Sequence, residues 1–248
     1  MNLKLIACNV FQREVCHCLA HSPHVIDVEF TELGEHIHPE KLRETVQAAI
    51  DRASGGGRPY DAILLLFGLC GNAGVGLAAR DIPLVMPRAH DCCTVLLGSR
   101  HTFREHFADA PSTPFSSTGY MERGEYFLRV EDGEARVHYG DAYAEYVAKY
   151  GEENAKYIWE QMHPVGHGDT NRAVFIEIPE FAPLGYIEKF REKCAEVGRE
   201  CVELPGDLRL ICALLHGGWN DDEFLTVPPG HRTVGVYDWN EIVRCQPL

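Results

Sequence analysis

Short apolar runs alternate with stretches of helical spacing through the first hundred residues, and that alternation confines the chain to a parallel sheet with helical crossovers. The runs Leu3 to Ala7, Ala62 to Leu69 and Ile82 to Met86 are short, rich in Leu, Ile and Val, and flanked by Gly, Pro or charge, and Val25 to Phe30 reads as a further strand. Between them, Phe11 to Ala20, Pro39 to Ala53 and Val75 to Ala79 read as helices, and a further helix begins near Thr94. Repeated strand-helix-strand units of this kind predict an α/β fold with a doubly wound, mostly parallel sheet.

Beyond Pro111 the pattern changes. Residues 111–140 are rich in Pro, Ser, Thr and Gly and then polar, which predicts an insertion or linker of hairpin-like character. A long helix is expected over about 141–161. It is followed by a strand at Ala173 to Ile178, a helix at Gly185 to Val197, and strands near Arg209 to Leu214 and Thr233 to Tyr237. The expected organisation is two α/β lobes, residues 1–110 forming a Rossmann-like lobe and 141–248 a second one. A second set of strands that completes the first sheet remains open.

Composition narrows the function classes. Lys and Arg total 23 against 37 Asp and Glu, a net charge of -14, which argues against a surface that neutralises phosphate backbones, so nucleic acid is not an expected partner. The N-terminus enters a strand without the pattern of a signal peptide, and no apolar run reaches bilayer length. A cytoplasmic protein without a membrane partner is therefore expected. Ten cysteines in such a chain predict reduced thiols or metal ligands rather than a disulfide framework. Cys194, Cys201 and Cys212 read as ordinary packing residues.

Three of the cysteines are placed differently. Cys8, Cys70 and Cys92 each follow an apolar run, so a parallel sheet would bring them to one edge, where ligands bind in open α/β sheets. Cys70-Gly71-Asn72 leads from a strand towards a helix start, where Gly71 permits a tight turn and free amides favour an anion. Arg88-Ala89-His90-Asp91-Cys92 is the densest chemical cluster. Arg88 could hold a substrate carboxylate, His90 or Asp91 could move a proton, and Cys92 could bind a metal or act as nucleophile. Cys16-His17-Cys18 is a weaker motif, because residues two apart lie on different helix faces. His38, in a loop before a helix, is a candidate fourth ligand, and Tyr120 and Trp219 are candidate pocket walls.

These turns resemble domain-of-unknown-function family 1638. The matching segments are Cys8 after the first strand, His38-Pro39-Glu40-Lys41-Leu42, Gly68-Leu69-Cys70-Gly71, Pro87-Arg88-Ala89-His90-Asp91-Cys92 with Leu96-Leu97-Gly98-Ser99, Tyr150-Gly151-Glu152-Glu153-Asn154-Ala155, and Trp219 with Phe224-Leu225 and Pro229-Gly230. The chain departs from the family pattern at Cys93, where an aliphatic residue is usual, and at Tyr120, where tryptophan is usual. The resemblance implies a context of one-carbon metabolism, with corrinoid methyltransferase components as possible partners. It assigns no reaction.

Four readings follow. The first is a metal-thiolate enzyme, a lyase or transferase, in which Cys8, Cys70 and Cys92 hold an iron-sulfur cluster of the [4Fe-4S] type with one iron open to a small anionic substrate, for elimination or sulfur transfer. The second is zinc on the same cysteines, with His38 or His90, activating a thiol for methyl transfer. The third is a metal-free acid-base enzyme using two cysteines, suggested by the similarity of Ala7-Cys8-Asn9 to a strand-end motif of aspartate and glutamate racemases. The fourth is a non-catalytic small-molecule binding protein.

Overall fold

The protein is described from a computed structural model covering residues 1–32, 39–70, 72–111, 113–123, 171–236 and 238–248. β1 (Asn2–Cys8) pairs in parallel with β2 (Val25–Thr31) on one side and β3 (Ala62–Leu66) on the other, and β3 pairs in parallel with β4 (Leu84–Pro87). Every residue of β3 and β4 is buried, which is why these segments read as unbroken apolar runs rather than alternating ones. A separate three-stranded parallel sheet has the order β5 (Phe115–Ser117), β6 (Arg172–Glu177), β7 (Glu200–Pro205). The chain then returns to the first sheet through β8 (Phe224–Val227), antiparallel to β4, giving the order β2-β1-β3-β4-β8. Residues 224–227, expected in a second lobe, thus belong to the first sheet. β9 (His231–Gly235) and β10 (Val243–Pro247) form an antiparallel pair.

β6 connects the two sheets energetically. Val174 and Ile176 enter the large core built on β1, β3 and β4, while Ala173 and Phe175, on the opposite face, pack with Ile187, Phe190 and Cys194 in a smaller core. Period-two alternation makes one strand the wall of both.

The helices are α1 (Gln12–Leu19), α2 (Pro39–Gly55), α3 (Cys92–Leu96), α4 (Arg100–Phe107), α5 (Thr118–Arg123), α6 (Tyr186–Glu196) and α7 (Arg209–His216). In α2 the buried Leu42, Val46, Ala49, Ile50 and Ala53 mark one helical stripe. Residues 209–214, expected as a strand, form α7. A nearly continuous apolar run fits either element, and the end signals decide: Asp207 accepts a hydrogen bond from the Arg209 amide at 2.7 Å, and Gly217 closes the helix at φ +80°. The expected helix at Val75 to Ala79 does not form, because its backbone is engaged by β9. Gly76 and Ala79 donate to the carbonyls of Thr233 and His231, and Leu77 donates to the Thr233 hydroxyl. The expected helix over 141–161, and residues 124–140 of the expected insertion, lie outside the described residues. Residues 113–123 hold β5 and α5 instead of a hairpin.

The expectation of reduced thiols or metal ligands, and of Cys212 as an ordinary packing residue, is corrected at one pair. Cys18 and Cys212 form a disulfide that ties α1 to α7, closing a loop with a sequence separation of 194. Cross-linking so long a loop limits the unfolded ensemble by about 5 kcal/mol in the chain-entropy account. Among the described residues no helix is long and apolar enough to cross a membrane.

Glu14 is an anomaly in this core. It lies in the first turn of α1, fully buried, and among the described residues its carboxyl oxygens have no partner beyond the residue's own nearby amide. Burial pushes its pKa from 4.5 up to about 7, with Glu122 adding to the shift and Arg13 and Arg123 opposing it. Below pH 4.5 the group is protonated folded or unfolded and carries no penalty. Between 4.5 and 7 only the unfolded chain ionises, so stability falls with rising pH and levels off above 7. Glu14→Gln is therefore expected to stabilise the protein by on the order of 3 kcal/mol at pH 8 and to have little effect at pH 4, read from urea unfolding of both proteins at each pH.

Candidate functional site

The carboxyl ends of β1, β3 and β4 face one edge, and backbone pairing continues past the strands. Leu69 donates to the Ala89 carbonyl at 3.0 Å and Cys70 to the His90 carbonyl at 3.1 Å, so the turns after β3 and β4 run side by side. Gly68 makes this approach feasible. A Cβ there would lie 2.5 Å from the Asp91 Cα. The result is a direct contact between sulfurs, with Cys70 Sγ 3.9 Å from Cys92 Sγ. The same turn holds Cys70 at φ +45° and Asn72 at φ +73°, left-handed conformations that cost non-glycine residues about 1 to 3 kcal/mol each.

The other two members arrive from β1 and α5. Cys8 is the last residue of β1 and is fully buried. Gly119 in α5 packs against the turn after it, where a Cβ would sit 1.7 Å from the Val10 carbonyl oxygen. That seating brings the next residue, Tyr120, to the cluster, where its hydroxyl hydrogen bonds with Cys92 and its ring meets Phe115 edge-on at 5.3 Å. The structure therefore brings together Cys8, Cys70, Cys92 and Tyr120.

The cluster favours neutral forms. The hydrogen bond with Cys70, then burial, then the charges of Cys70 and Cys8 push the Cys92 thiol well up. Burial and the three cysteines do the same to the Tyr120 hydroxyl. Burial raises Asp91 to about 6 against the opposing hydrogen bonds from Thr94, and the nearby Cys70 charge raises it further. Cys93 is buried and also raised, by burial and by Asp91.

The remaining candidates are held by other contacts. Asp91 is the N-cap of α3, its carboxylate accepting from the Thr94 amide at 3.0 Å and the Thr94 hydroxyl at 3.1 Å. Arg88 donates to the backbone carbonyls of Asp221 at 2.9 Å and Glu241 at 3.0 Å, and also to that of Val243, which staples the C-terminal segments onto the end of β4. His90 packs among aromatic rings, 5.6 Å from Phe103 and 5.2 Å from Trp239. Burial lowers its pKa to about 4, so the imidazole is neutral at pH 7. Trp219 donates to the Leu214 carbonyl at 2.7 Å. The Asn72 carbonyl accepts from Arg43 at 3.2 Å, while its buried side-chain oxygen has no partner among the described residues. His38 and Gly71 lie outside the described residues.

Sequence reasoning missed Gly68 and Gly119, whose close contacts assemble the site. A lone glycine beside a candidate residue was the only available signal. Among the described residues no three His, Cys, Asp or Glu side chains stand as a ready metal-ligand set.

A family model described as protein of unknown function (DUF1638) matches residues 30–215. The chain belongs to this family. The match spans Cys70, Cys92 and Tyr120, whereas Cys8 precedes it and Trp219 follows it. No curated protein and no solved structure matches the chain.

The geometry separates Asp91 as a cap from Asp91 as an acid. Asp91→Ala should cost about 1 to 2 kcal/mol in urea unfolding, and Asp91→Asn clearly less, because the amide oxygen can still accept from Thr94.

Proposed function

We propose that this member of the DUF1638 family is a metal-thiolate enzyme, with Cys8, Cys70 and Cys92 as the protein ligands and a small organic anion as substrate. The observation that carries the reading is the 3.9 Å contact between Cys70 and Cys92 sulfurs, next to Cys8 at the carboxyl edge of a parallel sheet. Two thiolates on one tetrahedral ion with bonds of about 2.3 Å stand about 3.8 Å apart, so the spacing suits a single soft ion such as zinc. His38 is the candidate fourth ligand. Such an ion would keep a coordinated thiol deprotonated and nucleophilic, as transfer of a methyl group in one-carbon metabolism requires.

A specific observation also supports the iron-sulfur reading. Only three cysteines meet here, the number that leaves one corner of a [4Fe-4S] cluster open for elimination or sulfur-transfer chemistry. There each thiolate binds a different iron, so Cys70 and Cys92 would have to separate. The sulfur contact weighs against an acid-base pair of cysteines, since it leaves no room for a substrate carbon between these two.

The chain's own groups do the rest. The Tyr120 hydroxyl, bonded to Cys92, can hold or return a proton at that sulfur, and Asp91 can exchange one near neutrality. Neutral His90 is the weaker candidate acid at pH 7. The frame assumed is a doubly wound first sheet and a second lobe around the three-stranded sheet, in a cytoplasmic protein that meets corrinoid methyltransferase components.

Elemental analysis and a visible spectrum of protein purified without oxygen test this. About one zinc with no visible band is expected, whereas about four irons with sulfide and a broad band would select the cluster. Cys8→Ala, Cys70→Ala and Cys92→Ala should each lose metal, and Cys194→Ala should retain it. Metal-free protein from both aerobic and anaerobic preparations, after growth with added zinc and iron, would overturn the proposal.

A further inference from the structure

Beside Met121 to Arg123 of α5, a groove of about 960 Å³ opens between α1, α5, the 3-10 turn Pro179–Leu184 and α6. The chain as a whole is strongly acidic, yet among the described residues this groove is lined by Arg13, Arg123 and Lys189 and by one acid, Glu122. Glu122 is already neutralised. Arg13 grips both of its oxygens, at 2.8 and 2.9 Å from Nε, and the Tyr186 hydroxyl donates to it at 3.4 Å.

Among the described residues two further cations stand in no ion pair, although Glu122 and Glu14 act on Arg123 at longer range. Arg123 donates to the Asn9 carbonyl at 3.1 Å and to the Gln12 side chain, both neutral. Exposed Lys189 forms no ion pair among the described residues, and its ammonium lies 4.8 Å from the centre of the Tyr186 ring. Glu14, which acts on Arg13, Glu122 and Arg123, is only about half ionised near pH 7, since burial raises its carboxyl to about 7. The groove is also aromatic. Phe181 and Tyr186 line it, with the His17 ring edge-on to Phe181 at 6.3 Å.

We propose that this groove is a second binding site, taking a ring-bearing organic anion whose phosphate or carboxylate is held by Arg123 and Lys189 and whose ring lies against Phe181 and Tyr186. Cations offered beside aromatic faces provide charge recognition and flat apolar contact together. Nothing in this inference depends on a metal at the cysteines.

Calorimetric titration of the full chain with phenyl phosphate, benzoate, inorganic phosphate and benzyl alcohol tests it. Phenyl phosphate or benzoate should bind with Kd of about 1 mM or tighter, the better of the two identifying the charged group, and inorganic phosphate and benzyl alcohol should bind more weakly. Lys189→Glu should weaken the better ligand at least about tenfold, or 1.4 kcal/mol, without changing thermal unfolding. Cys92→Ala should leave binding intact. The proposal fails if neither ring-bearing anion binds, if Lys189→Glu leaves affinity unchanged, if benzyl alcohol binds equally well, or if Cys92→Ala abolishes binding.

Discussion

The pairing of two turns beyond the ends of their strands is the constraint on which the cysteine cluster depends. A parallel sheet brings strand ends to one edge but does not bring their loops into contact. The amides of Leu69 and Cys70 do so by donating to Ala89 and His90, and Gly68 supplies the missing side chain that lets the Asp91 backbone approach. The left-handed backbone at Cys70 and Asn72 is the cost of turning sharply enough to keep Cys70 against Cys92. Strain at residues beside a cluster of thiols is more informative than strain in an ordinary turn, because glycine at either position would have relieved it.

Burial and mutual repulsion drive the cluster in one direction. Cys92, Tyr120 and Asp91 are all shifted towards their protonated forms, so removing one proton makes removing the next harder. A bound cation inverts that logic by favouring every thiolate at once. The same arrangement that makes poor isolated nucleophiles is the one a soft cation would favour, which is the basis of the proposed ligand set.

What the sequence revealed and what it hid follow from the range of the interactions involved. The runs that became β3 and β4 were legible because burial on both faces leaves an apolar signature in consecutive residues. The convergence of strand ends at Cys8, Cys70 and Cys92 followed from parallel topology. Residues 209–214 were ambiguous because a short apolar run fits strand or helix, and the deciding Asp207 and Gly217 lie outside the run. Val75 to Ala79 went astray because β9, more than 150 positions later, engages its amides. The turn Arg88 to Cys92 showed its chemistry but not its directions. Arg88 reaches backbone carbonyls near the C-terminus, His90 enters an aromatic cluster, and only Cys92 meets the other cysteines. The disulfide between Cys18 and Cys212 joins two helices whose packing no local pattern encodes.

α5 gives the cysteine cluster and the cationic groove a common physical element. Its Gly119 rests on the Val10 carbonyl, its Tyr120 reaches Cys92, and its Arg123 holds the Asn9 carbonyl and the Gln12 side chain. Val10, Asn9 and Gln12 all lie in the short segment that follows Cys8. An anion that drew Arg123 from Asn9 would loosen the contact seating α5, and with it the position of Tyr120 beside Cys92. Linkage requires the converse as well: a ligand that fixed the cysteines and Tyr120 would alter the affinity of the groove by the same factor. One six-residue helix carries both sets of contacts.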